Sequence, residues 1–290
     1  MKNKYILDKV HELPTLPTIV YELHQLINDP MSSVSEVEAV VTNDQAISSK
    51  LLKLSNSAFY SVSGGVGSLK RAISILGFNT VNEVVLSMNV IKMFKAENSQ
   101  FSIPQFWKHS LGVANCAMSI EEYLNKGASG NDLFSCGLLH DLGKIAFYSV
   151  DSKNFIDVYS KAEKNKTSLL IEEQLAEYNS ALIGSELIKR WKLPLLLQKT
   201  TYYSGNSFSR TKTDYMLTED ILQAIDIVKL ADILINRMCF GHDGTFHQVE
   251  IDPQIITRLR LKDQDLVKIN ALVLESLQKT EKFLSIIENN

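Results

Sequence analysis

Apolar residues recur at intervals of three and four positions along most of the chain, which is the spacing of a buried stripe on a surface helix. The stripe formed by Ile19, Val20, Leu23, Leu26 and Ile27 is one example. The same spacing returns in residues 46–54, 81–94, 105–126, 131–147, 168–178, 180–191, 221–238 and 263–287. Strict alternation of apolar and polar residues is rare, and no Asn-Gly or Asp-Gly pair joins two strand-like runs. The pattern predicts an all-α protein.

One polar segment interrupts this pattern and predicts a boundary between two helical lobes. Residues 95–104 read KAENSQFSIP, lack apolar periodicity and end in a proline. A chain of 290 residues is long enough for two domains at about 150 residues each. We therefore expect a two-lobed helical bundle. Its N-terminal helical lobe would cover residues 1–100, and a second helical lobe with the C-terminal helices would cover residues 101–290.

The charge balance and the cysteines argue against several classes of protein. Lys and Arg number 30 against 33 Asp and Glu, a net charge of −3, whereas duplex-binding domains are usually basic. Binding to nucleic acid, including DNA binding through the N-terminal helices, is therefore disfavoured. Cys116, Cys136 and Cys239 form no CxxC spacing, so neither a disulfide framework nor a thiolate zinc site is expected. No apolar run approaches the roughly 18 residues of a membrane span. We expect a cytoplasmic protein with no membrane partner.

The candidate chemistry centres on the adjacent His140 and Asp141 in the segment GLLHDLGK. Neighbouring residues on a helix lie about 100° apart, so an imidazole and a carboxylate at these positions can reach one metal ion. This mixture of nitrogen and oxygen ligands suits Fe, Mn, Zn or Ni rather than Ca. His109, on the preceding long helix, and Asp232, on a later helix, are the candidates for the further ligands. Lys144 would place a positive charge beside a phosphate.

Other residues that carry suggestive chemistry are assigned structural roles. His242 and His247 lie five positions apart in a short loop flanked by glycines, so residues 241–247 are expected to form a solvated connection rather than a metal loop. Trp107 and Trp191 are expected to anchor the core.

The four candidate ligands and several further motifs carry a resemblance to known families. His109, His140, Asp141 and Asp232 resemble the H…HD…D signature of the HD superfamily of metal-dependent phosphohydrolases. The further motifs are similar, in the same order along the chain, to those of the HDOD family, the HD-related output domains of bacterial signalling proteins. They are LPTLP (13–17), NDP (28–30), LLKLSNSA (51–58), AISILG (72–77), FWKHS (106–110), GLLHDLGK (137–144) and WKLP (191–194). The ordered set covers residues 13–203, with Asp232 beyond it.

The resemblance implies an all-helical fold with an HD-like helical core in the second lobe. Many members of the family act as regulatory modules rather than as enzymes. Asn179 stands where related members often carry a histidine, and Tyr202 and Tyr203 stand where they often carry a pair of histidines. Those histidines serve a second metal in the related HD-GYP phosphodiesterases, and the GYP element is also not visible. The resemblance therefore implies a degenerate metal site without a two-metal mechanism.

Two functions follow from this resemblance and stay open. The first is a non-catalytic output module of bacterial signal transduction, which binds a signalling protein partner or a small nucleotide and needs no cofactor. Because HDOD-like sequence fills most of the chain, we expect a stand-alone module whose input arrives from another protein. The alternative is a mononuclear metal-dependent phosphohydrolase, acting on a nucleotide or cyclic nucleotide. In it, His109, His140, Asp141 and Asp232 would hold a single Fe, Mn, Zn or Ni ion, and Lys144 would be the candidate phosphate contact.

Overall fold

The computed structural model describes residues 2–57, 65–94, 100–125, 132–206 and 217–288. Helices form the secondary structure throughout these ranges, and the β pairing described in them is one isolated antiparallel bridge between Ser168 and Thr245. The prediction of an all-α protein is confirmed. Within the same ranges, no helix has the length and apolar content that a bilayer crossing takes.

The helices are connected by short segments, and many begin at a polar residue whose side chain accepts a hydrogen bond from the first turn. In chain order they are α1 (Lys2–Lys9), a 3-10 helix (Val10–Glu12), α2 (Thr18–Asn28), α3 (Val34–Thr42), α4 (Gln45–Ser55), α5 (Leu69–Met93), α6 (Ile103–Asn125), α7 (Leu133–Leu139), α8 (Leu142–Val150), α9 (Ser152–Asn165), α10 (Leu169–Leu175), α11 (Ser180–Arg190), α12 (Leu195–Ser204), α13 (Glu219–Arg237), α14 (Pro253–Arg258) and α15 (Asp263–Glu288). The capping residues include Ser33, Asp44, Asp132, Ser168, Asn179 and Thr218.

The chain folds into two compact units whose limits differ from the predicted lobes. The larger unit comprises Met1–Pro14 and Phe94–Thr280, and the smaller comprises Thr15–Met93 and Glu281–Asn290. The first fourteen residues thus belong with the larger unit, and the last ten belong with the smaller one. Part of the predicted boundary segment, residues 95–99, lies outside the described residues.

Hydrogen bonds from α11 explain why the N-terminal residues belong to the larger unit. The Arg190 guanidinium donates to the carbonyls of Val10 and Leu13, and the Trp191 indole N–H donates to the Pro14 carbonyl at 3.0 Å. These bonds join residues about 180 positions apart, which the local pattern of apolar residues does not reveal.

The core of the larger unit includes three closely packed pairs of helices. Helix α6 packs against α7 and α13, and α8 packs against α11. Trp107 on α6 is 2% exposed and Trp191 at the end of α11 is fully buried, so the expectation that both anchor the core is confirmed. Burial of such large aromatic side chains stabilises the unit that carries the candidate site.

The prediction of one helix over residues 131–147 is wrong in one respect, because the helix is interrupted at His140 and Asp141. Helix α7 ends at Leu139 and α8 begins at Leu142, with Asp141 at φ −106° and ψ 14° between them. The two short helices pack on different partners, α7 on α6 and α8 on α11. The continuous apolar spacing conceals this interruption, since both halves are buried.

Gly143 lies where α8 and α11 come closest. A Cβ atom built on this residue would lie 1.7 Å from the carbonyl oxygen of Ser180 and 2.7 Å from the backbone nitrogen of Gly184. Both neighbours are backbone atoms, so they cannot yield as a flexible side chain would. The absence of a side chain at Gly143 therefore fixes how closely α8 approaches α11.

Replacing this glycine should separate the two helices. We expect Gly143→Ala to lower the free energy of unfolding by about 2–3 kcal/mol, the usual cost of overpacking a tight contact. Gly67→Ala is the matched control, since a Cβ at Gly67 would meet no atom within 4 Å. It should change the same free energy by less than about 1 kcal/mol. Urea denaturation followed by circular dichroism measures both changes, and equal losses in the two variants would contradict the contact.

Glu173, at the end of α10, joins that helix to the start of α11. One of its carboxylate oxygens accepts hydrogen bonds from the backbone N–H of Ser180 at 3.0 Å and from the Ser180 hydroxyl at 2.7 Å. Its other oxygen, Oε1, is buried without a hydrogen-bond partner among the described residues. Burial raises the pKa of Glu173 to about 7, despite the opposing effect of the bonds from Ser180. The folded unit therefore favours the neutral carboxyl group.

This shift makes stability depend on pH with a definite sign. Because folding raises the pKa of Glu173 from its ordinary 4.5, its contribution is fully present below pH 4.5 and is lost as the pH rises through about 7. We expect Glu173→Gln, which keeps an acceptor for Ser180 without a charge, to remove about 2–3 kcal/mol of the stability loss between pH 5 and pH 8. Unfolding free energies measured across this range test the prediction, with the exposed Glu163→Gln as control. An unchanged slope in Glu173→Gln would contradict it.

Candidate functional site

The larger unit brings all five predicted side chains together. His109 comes from the second turn of α6, His140 and Asp141 from the junction between α7 and α8, Lys144 from the first turn of α8, and Asp232 from α13. The two histidines are buried, Asp141 and Lys144 are nearly so, and Asp232 keeps 31% of its side chain exposed. Solvent therefore reaches the cluster at Asp232.

The junction between α7 and α8 orients the His140 imidazole. Its Nδ1 lies 2.7 Å from the carbonyl oxygen of Gly137, and because a carbonyl only accepts, Nδ1 carries the proton. The other nitrogen, Nε2, lies 3.2 Å from Asp141 Oδ2. Burial alone would lower the pKa of His140, but Asp141, and to a lesser extent Asp232, outweigh it and raise the pKa to about 9. Without a metal ion, the imidazole is thus held as a cation.

His109 faces the same point from α6. Its Nε2 lies 3.0 Å from Asp232 Oδ1, and the two imidazole rings are 5.5 Å apart between their centroids. The same Asp232 oxygen lies 3.7 Å from His140 Nε2 and accepts a bond from the Asn236 amide at 2.8 Å. Within the described ranges, neither nitrogen of His109 nor Nε2 of His140 makes a well-aligned hydrogen bond. The two buried Nε2 nitrogens therefore lie close to a carboxylate without forming a well-aligned hydrogen bond to it.

Lys144 lies differently from its predicted role beside a phosphate. Its ammonium is 2.6 Å from Asp141 Oδ2 and 2.7 Å from Asp243 Oδ2, and the side chain is 10% exposed. Burial alone would lower the pKa of Lys144, but Asp141 and then Asp243 outweigh it and raise the pKa above its usual value. Burial likewise opposes ionisation of Asp141, whereas His140 and Lys144 bring the pKa of that carboxyl down to about 2. The lysine thus stays charged and holds two carboxylates.

Asp243 is a site residue that the sequence reasoning missed. The glycines of the loop over residues 241–247 predict a solvated connection, yet Asp243 is 2% exposed and Gly244 is buried beside it. Burial alone would raise the pKa of Asp243, but the Lys144 ammonium outweighs it and holds that pKa far below its usual range. The sequence feature that points to Asp243 is the Asp-Gly-Thr segment. It forms a turn in which Asp243 Oδ1 accepts a hydrogen bond from the Thr245 N–H at 3.0 Å.

Backbone contacts hold this loop against the rest of the site. Gly241 has φ 76°, and a Cβ there would lie 2.2 Å from the backbone nitrogen of His109. The His242 N–H donates to the Gln105 carbonyl at 3.0 Å. On its other side, the loop pairs with the start of α10, where the Leu169 N–H donates to the Gly244 carbonyl at 2.8 Å. The glycines that predict a solvated turn instead permit close packing.

The cluster offers donor groups that fit one transition-metal ion. Donor atoms of His109, His140 and Asp141 lie within 4.8 Å of one another, and so do donor atoms of His109, Asp232 and Asp243. The buried imidazole nitrogens described above point to a missing partner. A carbonyl bond to Nδ1, as at His140, is the usual arrangement of a histidine that binds metal through Nε2. The donor set is therefore compatible with a bound ion.

Three side chains that stand where related members often carry histidines make structural contacts instead. The Asn179 side chain caps α11 by accepting from the Leu182 N–H at 2.9 Å, and its amide donates to Asn206 Oδ1 at 3.0 Å. The rings of Tyr202 and Tyr203 pack edge to face, with centroids 5.0 Å apart. These contacts give the three side chains structural roles.

Comparisons with known proteins agree with the all-helical fold. The family model of the HDOD domain matches residues 13–207. An uncharacterised protein of Treponema pallidum is 23% identical over 278 residues, which is 96% of this chain, and the chain spans 52% of that relative's length. An HDOD domain protein of unknown function from Geobacter sulfurreducens has a similar structure, with a TM-score of 0.77, 22% identity, and coverage of 97% of this chain and 98% of the other.

A second solved structure has the same fold. It is the protein named "putative phosphohydrolase" from Shewanella amazonensis, with a TM-score of 0.69, 22% identity, and coverage of 99% of this chain and 98% of the other. Since the HDOD match covers more than half of the chain and the all-helical fold agrees with it, this protein belongs to the HDOD domain family.

Proposed function

We propose that the protein is a bacterial signal-transduction output module of HDOD type with no catalytic activity of its own. It acts by binding a signalling protein partner or a small nucleotide. The observation that carries this proposal is the position of Lys144, whose ammonium lies within 2.7 Å of two buried carboxylates. A cation held in this way is not free to bind the phosphate of a substrate, so Lys144 does not supply the positive charge that would stabilise a transferring phosphoryl group.

The residues that stand in place of the second-metal histidines support the same proposal. A two-metal phosphodiesterase needs a second set of ligands to bind both oxygens of the displacement. Asn179 is engaged as the cap of α11, and Tyr202 packs against Tyr203. These three side chains therefore have structural contacts of their own.

A cytoplasmic location fits the cysteines. Cys116 and Cys136 are free and buried, and Cys239 is free and exposed. Burial raises the pKa of Cys116 and of Cys136 well above the usual range, which keeps both as inert thiols. Free thiols of this kind are typical of a reducing compartment.

The second candidate function is a mononuclear metal-dependent phosphohydrolase, and the unsatisfied imidazole nitrogens favour it. His109, His140, Asp141 and Asp232 would hold one Fe, Mn, Zn or Ni ion, which when bound would polarise a phosphate ester and lower the pKa of a water molecule. Asp232 is the most exposed of these four, so a substrate would approach from its side. Loading the site would release the proton that His140 carries.

One assay separates the two functions. We expect the protein, loaded in turn with Mn²⁺, Fe²⁺, Zn²⁺ or Ni²⁺, to hydrolyse bis(4-nitrophenyl) phosphate and cyclic dinucleotides no faster than an Asp232→Asn variant does. Lys144 is bound to Asp141 and Asp243, so it gives a transferring phosphoryl group no electrostatic help. Release of nitrophenol or of linear nucleotide is the measurement.

Asp232→Asn is a suitable control because its side chain is partly exposed and close in size to the original. A metal-dependent rate in the wild type that falls by more than about tenfold in this variant would overturn the non-catalytic role. The same result would establish the phosphohydrolase.

A further inference from the structure

We propose that Lys144 is a built-in counter-ion that competes with a divalent metal ion for Asp141, and that Asp243 holds the lysine in this position. The metal affinity of the cluster is then set by a residue outside the H…HD…D signature. The proposal rests on the candidate metal cluster and not on whether the protein turns over a substrate.

The competition concerns a single oxygen atom. Asp141 Oδ2 lies 3.2 Å from the Nε2 of His140 and 2.6 Å from the ammonium of Lys144. A metal ion bound through that imidazole nitrogen and the nearest carboxylate oxygen has to take the atom that the lysine already holds. Because all three side chains are at least nine-tenths buried, solvent screens this competition little.

Asp243 keeps the Lys144 ammonium beside Asp141. Its Oδ2 accepts from Lys144 at 2.7 Å and from the Thr245 hydroxyl at 3.1 Å, and its Oδ1 accepts from the Thr245 N–H. The loop that carries it is bound by backbone hydrogen bonds to Gln105 and Leu169. Lys144 therefore keeps a fixed second carboxylate even when Asp141 is drawn towards a metal ion.

The charges of the cluster match this role. Because imidazoles bind a metal ion in their neutral form, Asp141, Asp232 and Asp243 would contribute three negative charges to the metal-bound cluster and Lys144 one positive charge. The remaining two negative charges are those that one divalent ion would neutralise.

A lysine that only supported the fold would give a different result on removal, because its loss would disorder the ligands and weaken metal binding.

Titration with Mn²⁺, followed by loss of the free-ion electron paramagnetic resonance signal, tests the proposal on the full chain. We expect Lys144→Met to bind Mn²⁺ at least about tenfold more tightly than the wild type, since one buried positive charge is removed. Asp243→Asn removes one negative charge and the group that holds Lys144 at the same time, so its affinity is the reference for the double variant described below. Lys161→Met is the matched control, because it breaks an exposed Lys–Asp pair on α9, and it should leave the affinity unchanged.

A second comparison covers the case in which Lys144→Met does not fold, because it leaves two carboxylates without their cation. The double variant Lys144→Met/Asp243→Asn removes the buried pair together, and it differs from Asp243→Asn only at the lysine. It should bind Mn²⁺ at least about tenfold more tightly than Asp243→Asn. Equal or weaker binding without the lysine, or no binding by any variant, would overturn the proposal. Phosphodiester hydrolysis by the wild type would overturn the non-catalytic role alone.

Discussion

Buried negative charge is the constraint on which the larger unit depends. Asp141 and Asp243 lie in its interior, where an uncompensated carboxylate costs several kcal/mol. Lys144 supplies the compensating cation and binds both of them. The same ammonium thereby joins α8 to the loop before α14 and sets the charge beside the two imidazoles. Fold stability and the chemistry of the cluster are therefore coupled through one side chain.

Close backbone contacts fix the positions of the helices and the loop that carry these charged groups. Gly137 meets the backbone of Ala114, Gly143 meets Ser180, and Gly241 meets His109. Each contact leaves no room for a Cβ, so α7, α8 and the loop over 241–247 each have one position relative to their neighbours. The His140–Asp141 junction is held by this packing, and the cluster keeps its geometry whether or not it serves a reaction. Geometry of this kind supports a metal-binding or regulatory role as readily as a catalytic one.

The sequence predicted the side chains of the cluster better than their surroundings. His109, His140, Asp141 and Asp232 were identified because their order and contexts form a motif, and the structure brings them together. The break between α7 and α8 was missed, since apolar residues continue through it on both sides. Asp243 was missed because glycines beside an aspartate are typical of exposed turns, and only the neighbouring helices show that this turn is buried.

By itself, the sequence determined that the protein is all-helical, that it belongs with HDOD domains, and which four residues form the signature. Periodicity and motif order are local properties, so the order of residues suffices to reveal them. Only the tertiary structure decided that Lys144 lies between Asp141 and Asp243 and that the first fourteen residues pack with α11. Those facts depend on contacts between residues about 100 to 180 positions apart, which are set by packing and buried charge and leave no repeating pattern along the chain.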